Sequence, residues 1–285
     1  MQMHQSRITP LRPFSVPWWQ LAAKRTTGIS FGFAVQALFV FTVWHLFWFM
    51  REGASATAGH WVIRDCAFAV IFAVSHSIML VPVSRRKLTK IIPGPFYDSV
   101  FCLVTCVSLL VLFFGWRSSE TVIWELTGPL RVGVVAAFYA CWAALFYSLS
   151  LTGLGWQNGW TPFWHWLKGT PPPRREFKPR GAYKLIRHPV YLSFLGIVWF
   201  TPRMTLDHAA LTAIWTAYIL YGSFLKDRRL LHFIGEPYKK YSQRVAGYPL
   251  MFWGPLAKER RHDPARQPPH AEDPSRRLPS EKLAA

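Results

Sequence analysis

Residues 29–50 read ISFGFAVQALFVFTVWHLFWFM, with no Asp, Glu, Lys or Arg anywhere in the run. A bilayer crossing takes about 20 apolar residues, and this stretch supplies them. Five more uncharged blocks follow, at 66–84, 99–116, 132–151, 189–202 and 208–225. One such block could be the core helix of a soluble domain, but a series of them in one chain points to a membrane protein. The block at 189–202 is short for a full crossing, so it reads as a tilted half of a hairpin with 208–225. The first block starts too far into the chain for an ordinary secretory signal, and no small-residue cleavage site follows it. The fold expected is therefore all-α: a polytopic helical membrane protein of about six transmembrane helices, the last two forming a hairpin.

The charges fit the same reading. The net charge is +19, which would suit nucleic acid if it were spread over a surface. Placing the N-terminus inside instead assigns 28 of the 33 Lys and Arg to inside segments. Only Arg51, Arg64, Arg117, Arg131 and Arg203 are left outside. This is the positive-inside pattern, so the expected partner is membrane lipid rather than nucleic acid. Both termini are expected in the cytoplasm and the chain in a bacterial inner membrane. Trp18, Trp19, Trp116 and Trp199 lie near block ends, as an aromatic belt requires. Cys66, Cys102, Cys106 and Cys141 sit within apolar blocks and show no metal-ligand spacing, so they read as structural thiols.

Four sections follow from composition. Residues 1–28 are a polar lead-in and 29–151 a four-helix membrane section. Residues 152–256 form a core with a basic Pro-rich loop, the hairpin and a cytoplasmic segment. Residues 257–285 are charged, Pro-rich and poor in apolar residues, the composition of a disordered tail.

The densest chemistry lies where the basic loop meets the fifth block, at Tyr183-Lys184-Leu185-Ile186-Arg187-His188-Pro189-Val190-Tyr191. Pro189 suits the first turn of a helix, which puts His188 at its N-cap. Helix N-termini present free N–H groups to a carboxylate or phosphate; an interfacial anchor of Arg, His and Tyr is the alternative. A second cluster follows the last block, with Tyr238 and Tyr241 at helical three-residue spacing.

Arg187-His188-Pro189-Val190-Tyr191, a hairpin, and then Gly235-x-x-Tyr238-x-x-Tyr241-x-x-Arg244-Val245 resemble the isoprenylcysteine carboxyl methyltransferase superfamily. Ser75-His76-Ser77 within the second block, followed by Pro82 and a basic run, is similar to the methanethiol S-methyltransferase and NnrU-like branch. The resemblance implies an integral-membrane enzyme that takes S-adenosylmethionine and methylates a small thiol such as methanethiol. It assigns Phe177, Lys178, Tyr183, His188, Pro189, Tyr191, Tyr238 and Tyr241 to the donor site, and Arg187, Lys226 and Asp227 to the reaction, with no metal. Lys226 stands where the family has a first acid, and Ser193 where it usually has glycine. A lysine there suits a small anionic nucleophile, because a nearby cation lowers a thiol's pKa.

The runner-up is an NnrU-like membrane protein without methyltransferase activity, with His45 and His76 as haem ligands. A soluble dinucleotide-type fold is excluded, since Gly153-Leu154-Gly155 has no strand before it and no acid at the required distance after it. A transporter is disfavoured by the near absence of acids within the blocks.

Overall fold

The computed structural model describes residues 18–54, 62–174 and 176–258, the side chains of 18–24 excepted. The lead-in before residue 18 and the tail beyond 258 lie outside the described residues.

In chain order the helices are α1 (Trp18–Glu52), α2 (Val62–Leu80), α3 (Pro82–Leu88), α4 (Tyr97–Gly115) and α5 (Gly128–Thr152). Then come α6 (Leu154–Gln157), α7 (Trp160–Lys168), α8 (Pro189–Trp199), α9 (Leu206–Ile234) and α10 (Glu236–Arg244). Four helical stretches are long and apolar enough to cross a membrane: Arg25–Glu52, Val62–Leu80, Gly94–Gly115 and Gly128–Thr152. The chain is an integral membrane protein of predominantly helical structure. α8 has 11 residues and spans about 16 Å at helical rise, well short of the hydrocarbon core.

One element departs from an all-helical fold. β1 (Val122–Glu125) follows α4, and β2 (Arg203–Thr205) follows α8. They pair antiparallel, with Val122 opposite Thr205 and Glu125 opposite Arg203. The ribbon holds the α4–α5 connection against the α8–α9 connection. Asp207 braces it from below, accepting from the Trp116 indole at 3.0 Å and from the Ser119 N–H at 2.7 Å. A buried carboxylate is tolerable there because such donors replace its lost hydration.

The apolar core runs through the bundle, with Met50, Leu112, Phe138, Trp142, Ile197, Leu211 and Trp215 all buried in one cluster. α8 packs along α5 and against α9. The Trp-rich stretch at 160–168 forms α7, which lies on α1 where Gly28 and Gly32 leave room. A Cβ at Gly28 would come within 2.6 Å of the Trp166 ring, and one at Gly32 would overlap the ring of fully buried Phe163. Small residues four apart let helices approach closely in this way. Gly32→Ala is therefore expected to destabilise the fold by about 1–3 kcal/mol through overpacking. Thermal unfolding in detergent would register this as a lowered midpoint, and an unchanged midpoint would mean that α7 yields freely.

Candidate functional site

The basic loop runs into a short 3₁₀ turn, Gly181–Lys184, and then into α8, with His188 at the N-cap and Pro189 in the first turn. The two residues before Pro189 are tied by their main chain to a distant segment. The Arg187 N–H donates to the Ala246 carbonyl at 2.8 Å, and the His188 N–H to the Gly247 carbonyl at 3.2 Å. The Gly247 N–H donates in turn to the Leu256 carbonyl at 2.7 Å. A Cβ at Gly247 would meet that same oxygen at 2.7 Å, so the close approach needs glycine.

The side chains converge on Asp227, at the end of α9 away from the ribbon. Arg187 Nη2 lies 3.1 Å from Asp227 Oδ2, and His188 Nε2 lies 3.0 Å from Asp227 Oδ1. Neither approach is aligned as a hydrogen bond, so His188 Nε2 and Asp227 Oδ2 keep directional capacity. The Tyr238 hydroxyl donates to Asp227 Oδ1. Arg187 is also braced by two carbonyls, with Nη1 donating to Ser242 at 3.1 Å and Nη2 to Ala257 at 3.2 Å. Its Nε is left without a partner.

Aromatic rings wall the cluster. His188 stacks near Tyr191 and packs on Tyr248, with ring centroids 5.6 and 5.5 Å away. Phe177 sets its edge against Tyr238 and Tyr241. The Tyr241 hydroxyl donates to the Tyr183 carbonyl at 2.5 Å. Lys226 Nζ sits 4.8 Å from the centre of the Tyr191 ring, a cation–π contact.

Burial sets the protonation states. It holds the His188 imidazole below its ordinary range, against the pull of Asp227, so the ring is neutral at neutral pH. Burial pushes Asp227 up, but the His188 and Tyr238 contacts and the Arg187 charge outweigh it and keep the carboxyl below its usual value. Tyr238 is raised by burial and by the Asp227 charge, and Tyr241 chiefly by burial. Lys226 is lowered to about 8 by burial, with the Arg229 charge adding to the effect.

Of the residues singled out from sequence, Phe177, Tyr183, Arg187, His188, Tyr191, Lys226, Asp227, Tyr238 and Tyr241 form this assembly, on the frame that Pro189 starts. The Lys178 side chain does not join it; that ammonium is exposed and pairs with Glu176 at 2.5 Å. Arg187 acts as a brace on three sides, with only Nε spare. Ser193 is buried and donates to the Pro189 carbonyl at 2.9 Å, so a hydroxyl fits in place of the family's glycine. Tyr248, Ser242 and Ala257 were not foreseen. Ser242 lies on α10, while the contacts of Tyr248 and Ala257 depend on the chain returning after α10, and no local pattern signals that.

His45 and His76 do not face one another. The His45 ring packs on Phe114 and the His76 ring on Phe101. Those two phenylalanines are thirteen residues apart on α4, or about 20 Å along its axis, so the histidines cannot ligate one haem. His208 is buried, with Nε2 3.3 Å from the Val198 carbonyl. Among the described residues no group of three or more His, Cys, Asp or Glu could hold a metal ion.

No family model matches the chain, and no solved structure matches it significantly. Methanethiol S-methyltransferase 1 of Bradyrhizobium diazoefficiens is 33% identical over 195 residues, covering 68% of this chain and 68% of that protein. The chain belongs to the isoprenylcysteine carboxyl methyltransferase superfamily, in its methanethiol S-methyltransferase branch. Methanethiol S-methyltransferase of Mycobacterium tuberculosis is 29% identical over 220 residues, covering 77% of this chain and 87% of that protein. Nurim of Danio rerio is 26% identical over 183 residues, covering 60% of this chain and 64% of that protein. The superfamily therefore reaches this chain through an enzyme-named branch and a separately named one.

Proposed function

We propose that the chain is an integral-membrane, S-adenosylmethionine-dependent methyltransferase acting on a small thiol such as methanethiol. One observation carries the reading beyond family membership. Eight buried side-chain nitrogens or oxygens among the described residues lack an aligned hydrogen bond, and five of them belong to Tyr183, Arg187, His188 and Asp227, of which His188 Nε2 and Asp227 Oδ2 have only the 3.0 and 3.1 Å charge contacts. Buried polar groups are normally satisfied, so such a concentration is what a polar ligand site requires.

The residues suit this donor. Arg187 Nε and the α8 N-terminus would hold its carboxylate. Asp227 Oδ2 would take its amino group or a ribose hydroxyl, and the rings of Phe177, Tyr183, Tyr191, Tyr238 and Tyr241 its apolar faces. S-adenosylmethionine, when bound, supplies an electrophilic methyl whose leaving thioether needs no proton. The protein's task is then alignment, which can supply roughly 7–11 kcal/mol of barrier lowering. Lys226 holds the acceptor as thiolate, its cation shifting the thiol equilibrium toward the charged form. Neutral His188 orients Asp227 without competing for a proton.

A topology of six membrane helices goes with this proposal, α8 entering only part of the hydrocarbon core. The β1–β2 ribbon supports α8 and α9 as a membrane hairpin, since it puts the α8–α9 turn beside the α4–α5 turn. In that arrangement the site faces the cytoplasm with both termini, in a bacterial inner membrane, and the acceptor arrives from the lipid side.

Calorimetric titration of the detergent-solubilised protein with S-adenosylmethionine tests the donor site. His188→Ala is expected to weaken binding about tenfold, the loss of roughly one buried polar interaction. Tyr191→Phe is expected to weaken it less. Undiminished affinity in both variants would remove the site. Membranes incubated with labelled donor and a panel of thiols, with volatile products collected, would identify the acceptor.

A further inference from the structure

After α10 the chain forms a loop whose apolar residues point away from the protein. Leu250, Phe252 and Trp253 are 84%, 67% and 77% exposed, in the run Pro249-Leu250-Met251-Phe252-Trp253. The loop is nevertheless fixed at its base. The Gly247 N–H meets the Leu256 carbonyl across its mouth, and the Ala257 N–H donates to the Gly254 carbonyl at 3.1 Å. Leu250 has φ +61°, the left-handed region that non-glycine residues seldom occupy. A fixed loop that holds a leucine there and turns two aromatic rings outward needs an apolar surrounding.

The height of the loop says what that surrounding is. Tyr248 is buried, its hydroxyl 2.5 Å from that of Ser223. Ser223 lies within the last apolar block, three residues before Lys226. The foot of the loop therefore sits at the level where α9 leaves its apolar stretch. Leu250 is two residues beyond Tyr248 and Trp253 five, within about 18 Å of extended chain. Tryptophan and phenylalanine favour this boundary between headgroups and acyl chains. Arg244 and Lys258 flank the loop and suit anionic headgroups.

We propose that residues 249–255 are an interfacial anchor that seats Leu250, Phe252 and Trp253 in the lipid boundary on the side of the protein that carries the site. The occupant is the bilayer, because the loop is continuous with a membrane-spanning body at the depth fixed by Tyr248 and Ser223. The same segment lends the Gly247 carbonyl to His188 and the Ala257 carbonyl to Arg187. Lipid contact and the wall of the site thus share one piece of chain. The inference stands apart from the methyltransferase reading.

The test places an environment-sensitive fluorophore on Trp253→Cys in the full chain, in nanodiscs of phosphatidylcholine and phosphatidylglycerol. The protein with only its four native thiols sets the background. Glu236→Cys is the water-facing comparison, since the Glu236 side chain is 68% exposed on α10. At position 253 the emission is expected to shift to the blue of that at 236. Lipids with a nitroxide high on the acyl chain should quench it, and aqueous iodide should not. Iodide quenching equal to that at 236 would put the loop in water and overturn the proposal. Protection from both quenchers would put it against protein and overturn it equally. Leu250→Cys and Phe252→Cys give the same readout if Trp253→Cys does not fold, and none of these outcomes depends on donor binding.

Discussion

Asparagine in place of Asp227 is expected to abolish measurable binding of S-adenosylmethionine and to lower thermal stability together. Among the described residues, the carboxylate is the only anion in contact with the Arg187 guanidinium, whose side chain is 2% exposed. It also meets His188 and receives the Tyr238 hydroxyl. Removing one partner of a buried ion pair strands the other charge, at about 3–5 kcal/mol. Asparagine keeps the shape and one acceptor oxygen, so the carbonyl contacts of Arg187 with Ser242 and Ala257 limit the damage and a folded protein remains. Asp227 also ties stability to pH. Its carboxyl is depressed in the fold, so its contribution is complete above the ordinary carboxylate range near 3.8 and is lost as pH falls below it. Calorimetry and thermal unfolding of Asp227→Asn read both effects; full donor affinity at an unchanged midpoint would mean that Arg187 needs no counterion.

The second large effect concerns Lys226. Its ammonium is lowered to about 8, so it is cationic below that pH and neutral above it. A role in holding thiolate then gives a bell-shaped profile of kcat/KM. The rising limb follows ionisation of the acceptor and the falling limb follows loss of the Lys226 proton near pH 8. Lys226→Arg should keep activity and remove the falling limb, because a guanidinium does not titrate in this range. Lys226→Gln should lower kcat/KM by about tenfold or more across the range, and Lys226→Glu further, as general charge effects on thiols imply. A Lys226→Glu enzyme with undiminished thiol methylation would take the role away. The same shift opposes stability: keeping a buried lysine charged costs most below about pH 8, and the cost fades as pH rises from there toward 10.5.

The membrane-crossing part of the fold was readable because it depends on a local property. The uncharged runs at 66–84, 99–116 and 132–151 fall on α2, α4 and α5 to within a few residues. α1 starts at Trp18, well before the apolar run at 29, because hydropathy reports where a helix meets lipid and not where it begins. The break between α9 and α10 also rests on a local property, Gly235 having φ +70°, which glycine adopts without strain. The ribbon was not readable: β1 and β2 are short and about eighty residues apart, and only their pairing makes them strands. In the site, Arg187 and Asp227 could be put together only through family resemblance, since no pattern in either segment points to the other. Tyr248 and Ala257 lacked even that, because the resemblance ends at Val245.

The Arg187 guanidinium reaches forward 70 positions to the Ala257 carbonyl. The hydrophobic helices among the described residues all precede that carbonyl in the chain, so insertion can be committed before the contact forms. Insertion and maturation are therefore separable in time. A protein truncated after Val245 would keep every one of these helices yet have an open, half-built cavity. The stretch that follows α10 acts as the latch that makes the site whole.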